Sequence, residues 1–454
     1  MTSCSNPLDT PHHGVAPVSG GSGRQLTRGP GGRILSNTGV WSPDGQWIVY
    51  DTRSDKAGST FDGRTIELVN VATGEIKEIY RSGHDACCGV VTFHPRQSKV
   101  AFIVGPERPT ADWQYCAWHR QGVVVDVSRP GEKSNLDACD IVPPFTPGAL
   151  RGGSHVHIWD PAGQWVSFTY EDQVLAQFKS PSPANDINQR SVGVSVPGKP
   201  VRVTRSHPHN HDGDYFTFLA ARTTASPRPG SDEISRACEE GWIGARGYLR
   251  PDGSRQRHAL AFQGQVLAPN GDPITEVFIA DLPEDVTQPG DGPLCGTETR
   301  APYAPKGTVQ RRLTFTAGRR FPGLQGPRHW LRSLPDGTQI AFLMKDDAGV
   351  VQLWTVSPNG GPPRQVTANP WPIASAFTWS PDGRWIAHVM DNSVCVTDAA
   401  SGKTTRLTPR TDDASAPRPE ACVFSPDGRS IAFMRRLPSP VEPANQVCVV
   451  TAKL

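Results

Sequence analysis

Thirteen histidines occur in this chain, and seven of them, His84, His155, His157, His207, His209, His211 and His329, lie in stretches that join one apolar run to the next. Neutral imidazoles converging from different segments are the donors that a divalent Mn, Fe, Ni or Zn site requires. His155-Val156-His157 places two donors on one face of an extended strand, because strand side chains alternate. The expected metal set is His155, His157 and His329, with His84, His209 and His211 as further donors. The same residues also suit a polar, metal-free pocket or purely structural roles. Arginines accompany them: Arg151 just before Gly152-Gly153-Ser154-His155, Arg190, Arg328 directly before His329, and Arg120 after His119. A guanidinium pairs bidentately with carboxylate or phosphate, so Arg151, Arg190, Arg328, His119 and Arg120 are the expected contacts to an anionic ligand. The competing role is a bridge to acids such as Glu171 or Asp172. No Gly-rich phosphate loop, Gly-x-Ser-x-Gly elbow or His-Glu-x-x-His run is present.

The elements that must hold these residues are legible as a repeat. Trp41-Ser42-Pro43-Asp44-Gly45-Gln46-Trp47-Ile48 returns as Trp379-Ser380-Pro381-Asp382-Gly383-Arg384-Trp385-Ile386. Weaker copies begin at Phe93, Trp159, Leu334 and Phe424. Each reads as strand, Pro-Asp-Gly type turn and strand: Pro presets φ at the first corner and Gly takes the positive-φ position. Such a hairpin returning every ~40–50 residues is the signature of a β-propeller, and with one irregular unit at about 206–316 the count reaches seven. The fold expected is all-β, a single seven-bladed propeller over residues 23–454 behind a disordered leader, 1–22. The last blade lacks an outer strand after Gln446–Thr451. Arg24-Gln25-Leu26-Thr27, which resembles Arg364-Gln365-Val366-Thr367, is expected to supply it and so to close the ring. In blade three the outer strand is expected at Val201–Thr204, and in blade four the inner strand at Tyr215–Ala220 or Gly247–Arg250. The acidic pairs Asp232-Glu233 and Glu239-Glu240 read as part of a covering loop.

Register refines the site. Six residues before the turn prolines come Asn37, Gly89, His155, Ala245, His329, Ser375 and Glu420. Unbroken alternation puts these at the channel mouth, on the face opposite the Pro-Asp-Gly turns, with His157 on the same side as His155.

Composition excludes several classes. Lys+Arg 46 against Asp+Glu 44 gives a net charge of +2, which does not point to nucleic acid or a membrane surface. No run approaches the ~20 apolar residues of a membrane span. The first residues lack the basic and apolar regions of a signal peptide, so a cytoplasmic monomer is expected; a start placed too far downstream would hide an export signal. Ten cysteines without regular spacing read as reduced, with Cys395, Cys422 and Cys448 as small core residues.

The Ser-Pro-Asp-Gly-x-Trp-Ile repeats resemble the WD40-like repeats of TolB-type propellers. Arg151-Gly152-Gly153-Ser154-His155-Val156-His157, Gly230-Ser231-Asp232-Glu233-Ile234, Glu239-Glu240-Gly241-Trp242 and Pro327-Arg328-His329-Trp330-Leu331 are similar to an uncharacterised bacterial family of such propellers. Oligogalacturonate lyase is a more distant resemblance. It implies a His-rich divalent-metal site on the channel face, but its Gln-x-x-His-x-His run is absent from the last three blades, so no ligand carries over. The resulting expectation is a propeller that binds a small anionic ligand, an acidic saccharide, at a His/Arg-lined mouth, either as a metal-assisted lyase or without metal. The alternative is a non-catalytic scaffold for a protein partner.

Overall fold

The structure is a computed structural model and describes residues 21, 23–55, 57–178, 187–438, 443–452 and 454. The leader expected over 1–22 lies almost wholly outside these. Seven four-stranded antiparallel sheets form the blades, and the molecule is an all-β seven-bladed propeller. No helix among the described residues is long and apolar enough to cross a membrane.

The repeat builds its own turn. In Ser42-Pro43-Asp44-Gly45 the Ser42 hydroxyl donates to Asp44 Oδ1 and accepts the Trp47 N–H at 2.9 Å. Asp44 Oδ1 also accepts the Gln46 N–H at 3.0 Å, and Gly45 takes φ 70°. Ser380–Asp382 and Ser425–Asp427 repeat the arrangement. Two of the tryptophans ahead of these turns tie their blade to the one before. Trp41 Nε1–H donates to the Val423 carbonyl at 3.0 Å and Trp379 Nε1–H to that of Arg332 at 3.0 Å. The cores lie between blades, where alternate side chains of facing sheets meet; Cys395, Cys422 and Cys448 are buried there.

Closure is as the sequence reading has it. Arg24–Gln25 pairs antiparallel with Ala444–Thr451, Arg24 opposite Val449 and Gln25 opposite Cys448. Leu26 N–H donates to Val447 O at 2.8 Å, Thr27 Oγ1 donates to Gln446 Oε1 at 2.9 Å, and Leu26 is 6% exposed. Deleting residues 1–30 is therefore expected to lower the melting temperature clearly, because it exposes the edge of the last sheet. Deleting 1–20 removes none of this ladder and should leave melting unchanged. Equal melting temperatures for the two truncations in a thermal scan would contradict the closure role.

Blades three and four depart from expectation. The outer strand of blade three is Phe216–Leu219, not Val201–Thr204; Val201 makes only an isolated bridge to Gly213. All four residues of Phe216–Leu219 are buried, whereas Arg202 is exposed, so apolar burial selects the later segment. The inner strand of blade four is Arg236–Trp242. Pro251-Asp252-Gly253 resembles the repeat turn but closes a separate small hairpin, with Tyr248 opposite Gln256. Trp242 is the true counterpart of the repeat tryptophans, and its indole N–H donates to Ile158 O of blade three at 2.9 Å. Glu239 and Glu240 therefore sit in an inner strand, not in a covering loop.

Candidate functional site at the channel mouth

Three consecutive inner strands carry the same irregularity. Blades two, three and four each have a β-bulge, between Gly89 and Thr92, His155 and Ile158, and Cys238 and Gly241. The bulge residues Val90, Val156 and Glu239 stand at φ 58°, 59° and 52°. A β-branched residue in this region is a genuine outlier, and strain of order 1–3 kcal/mol per residue gathers at functional positions. A bulge re-aims the side chains beside it. Gly89 has no room for a side chain: a Cβ there would stand 1.9 Å from Asp51 Oδ2. His155 projects at the corresponding place on blade three.

His155 is partly exposed, and its Nδ1 is buried without a hydrogen-bond partner. Burial first, then the positive charges of Arg120, Arg328 and Arg190, hold its pKa well below the usual imidazole value. The ring is thus neutral at neutral pH. Arg190 donates from Nε and Nη2 to Glu171 Oε1 at 2.8 and 2.7 Å. Arg120 lies 3.9 Å from Glu171 Oε2, its Nε donates to the Tyr115 hydroxyl at 3.0 Å, and Tyr115 stacks on Phe61 at 4.7 Å. Arg328 donates to Glu239 Oε1 at 2.8 Å, lies 4.5 Å over Trp330, and is half exposed. Three guanidiniums thus face two carboxylates, leaving one uncompensated positive charge around a neutral imidazole. Val90, Val156, Ile158, Trp242 and Trp330 pack together as one apolar cluster of blades two to five.

Beside the mouth, a cleft of about 690 Å³ opens between residues 105–120, a loop of blade two, and residues 197–215, which precede the outer strand of blade three, with Arg120 in its wall. Trp113 is sandwiched there between His119 at 3.6 Å and His209 at 4.0 Å. His119 Nε2 contacts Gln173 Oε1 at 2.9 Å, and His211 Nδ1 lies 3.0 Å from the His209 carbonyl. Burial, followed by the neighbouring His207, His119 and His211, pulls His209 down to about 4.

The remaining expected residues go elsewhere. The bulge at Val156 breaks the alternation, so His155 and His157 do not share a face as expected. His157 is fully buried between blades two and three, its Nε2 3.1 Å from Ser154 Oγ and 3.5 Å from Asp137 Oδ2, against Gly122. His329 is spent on backbone: Nδ1–H donates to Pro327 O at 2.9 Å and Nε2 accepts the Leu343 N–H at 3.1 Å. His84 is exposed in a separate loop. Among the described residues, no group of three or more His, Cys, Asp or Glu is placed to hold a metal ion. The donor set His155, His157, His329, with His84, His209 and His211, therefore does not fit a common ion. Arg151 lies away from the mouth, fully buried on Asp172, which is the bridging role. Glu171 takes the bridging role expected of it, whereas Glu239, which orients Arg328, and Tyr115, which steadies Arg120, were not anticipated as site residues. Trp242 was the available signal for Glu239, being the tryptophan that marks a true inner strand.

A family model described as "Protein of unknown function (DUF3748)" matches residues 87–211, the span that carries blade two, His155 and the cleft. An uncharacterized protein of Escherichia coli (strain K12), YidR, is 49% identical over 415 residues, covering 90% of this chain and 94% of its own length. Among solved structures, an oligogalacturonate lyase in complex with manganese superposes with a TM-score of 0.52 at 11% identity, covering 94% of this chain and 92% of that one. The oligogalacturonate lyase from Vibrio parahaemolyticus gives 0.53 at 10% identity over the same shares. At such identities the likeness is one of fold. The extended match to YidR, together with the family model over residues 87–211, shows that the chain belongs to the DUF3748 family of propellers.

Proposed function

We propose that the protein binds a small anionic ligand, an acidic saccharide, at the channel mouth through Arg120, Arg190, Arg328 and His155. The observation that carries this reading is the gathering of three arginines on a neutral imidazole whose Nδ1 has no partner. A carboxylate answers the uncompensated charge. The adjoining cleft gives a longer oligomer room to continue past Arg120. No metal-borne step enters, because the histidines among the described residues do not assemble a donor set. The manganese complex of the structurally similar lyase lends support only to the choice of a uronate as the first ligand to test.

Calorimetric titration with tri-galacturonate, against neutral maltotriose, tests this. Saturable binding of the acidic sugar is expected, weakening with salt and falling by roughly tenfold or more in Arg328→Gln, since a charge-assisted contact is worth ~1.5–3 kcal/mol. Equal binding of both sugars, or none of either, would overturn the reading.

A further inference from the structure

On the opposite face, where the repeat turns lie, the channel opens as a second cavity of about 430 Å³. Its wall is aromatic: Trp41, Phe93, Trp159, Trp242, Trp379 and Phe424, each from a different blade. Ile158 and Trp242 belong both to its wall and to the apolar cluster of blades two to five, and it shares no lining residue with the arginine cluster at the mouth. Two charged side chains line it. Asp160 is engaged by its own turn, accepting the Gln164 and Trp165 N–H groups at 2.6 and 3.0 Å. Arg332 is the other.

Arg332 is poorly compensated. Its Nη2 donates to Asn37 Oδ1 across the channel, but its Nε is buried without a partner. The indole N–H of Trp159, a residue 7% exposed, is likewise unpartnered, whereas Trp41, Trp242 and Trp379 donate theirs to neighbouring blades. The acid closest in effect is Glu240. It is fully buried, it accepts from Thr169 Oγ1 at 3.2 Å, and its Oε1 has no partner. Burial pulls Arg332 down to about 10 and pushes Glu240 up to about 7. At neutral pH Glu240 is therefore only partly ionised, and the guanidinium keeps much of its charge unmatched.

We propose that this aromatic funnel binds a small monocarboxylate with an aromatic or apolar body, the carboxylate on Arg332 and the body between the rings. A water-poor guanidinium is a strong partner for one carboxylate, and a mostly apolar pocket with few converging polar groups is the usual form of a small-molecule site. A saccharide is a poor occupant, because few groups here would satisfy its hydroxyls.

Hydrocinnamate is the probe, and its neutral amide, hydrocinnamamide, the control. Calorimetry on the full chain should show saturable one-to-one binding of the acid, with the amide weaker by roughly tenfold. Arg332→Gln should lose a comparable factor. At about pH 8.5, where Glu240 is ionised in the parent and Arg332 keeps its charge, Glu240→Gln should bind several-fold tighter, because it removes the counter-charge, an effect that damaged packing would not produce. Tri-galacturonate should not compete. Acid and amide binding alike to the unaltered protein would overturn the proposal without recourse to any variant. Absence of binding at millimolar probe, or competition by tri-galacturonate, would do the same.

Discussion

Arg151→Ala is expected to destabilise the protein by ~3–5 kcal/mol, the effect of leaving one partner of a buried ion pair uncompensated. Arg151 is fully buried, and its Nη2 and Nε donate to Asp172 Oδ2 at 2.6 and 3.1 Å. It also donates to the carbonyls of Thr297 and Arg300 and covers the Phe145 ring at 4.6 Å. The guanidinium thus clasps the long outer loop of blade four onto blade three. Asp172 would keep the Tyr170 hydroxyl at 3.0 Å and the Leu175 N–H at 3.0 Å, but two neutral donors do not replace a guanidinium. Arg151→Met with Asp172→Asn should recover a substantial part of the loss, since the amide retains acceptor capacity and carries no charge. Denaturant unfolding of the two variants and the parent decides this. A single-variant loss below ~1 kcal/mol would place the pair among surface-like bridges.

This pair also shows what the sequence discloses and what it conceals. Asp172 and Glu171 were readable as bridging acids, because arginines beside blade-three acids have an obvious electrostatic use. Which arginine takes which acid was not, because Arg151 and Arg190 differ only in burial, a tertiary property. The turns were legible as Pro-Asp-Gly corners with Gly at positive φ; the Ser and Asp side-chain hydrogen bonds that lock them came from the structure. The bulges were not. Val90 and Val156 are the residue type least suited to positive φ, so no local preference announces them. What accompanies them is tertiary: Val90, Val156 and Trp242, from the three bulged strands, pack in one apolar cluster. That single unreadable residue in blade three moved His157 from the mouth to the blade interface, and with it the expected metal set. In blade four a plausible Pro-Asp-Gly turn outweighed Trp242. Carboxylates at Glu239 and Glu240 argued for a loop, although buried acids in a strand are what an arginine-rich mouth requires.

Acid should weaken the fold through histidines that are held neutral. His329 and His388 are buried, and desolvation pulls both down to about 4 from an ordinary 6.5. As pH falls below 6.5 the unfolded chain takes up protons at these sites while the folded protein does not. Stability is therefore complete above about 6.5 and declines down to about 4, where the loss levels off; each site contributes ~3 kcal/mol. Glu240 acts in the opposite sense. Its folded value of about 7 against an ordinary 4.5 means that the folded state binds the proton first, so it adds stability as pH falls through that interval. It offsets roughly one of the two histidines. The parent protein should then lose ~3 kcal/mol net from these three groups between pH 7 and pH 4. His329→Gln keeps a side-chain acceptor for the Leu343 N–H but has nothing to titrate. Whatever its cost at neutral pH, its loss over the same interval should be smaller than the parent's by ~3 kcal/mol. Glu240→Gln should steepen the loss by a similar amount. Denaturant unfolding at a series of pH values separates these slopes. Parallel curves for the parent and His329→Gln would show that His329 takes up its proton in the folded state as readily as in the unfolded one, which its two backbone hydrogen bonds do not permit.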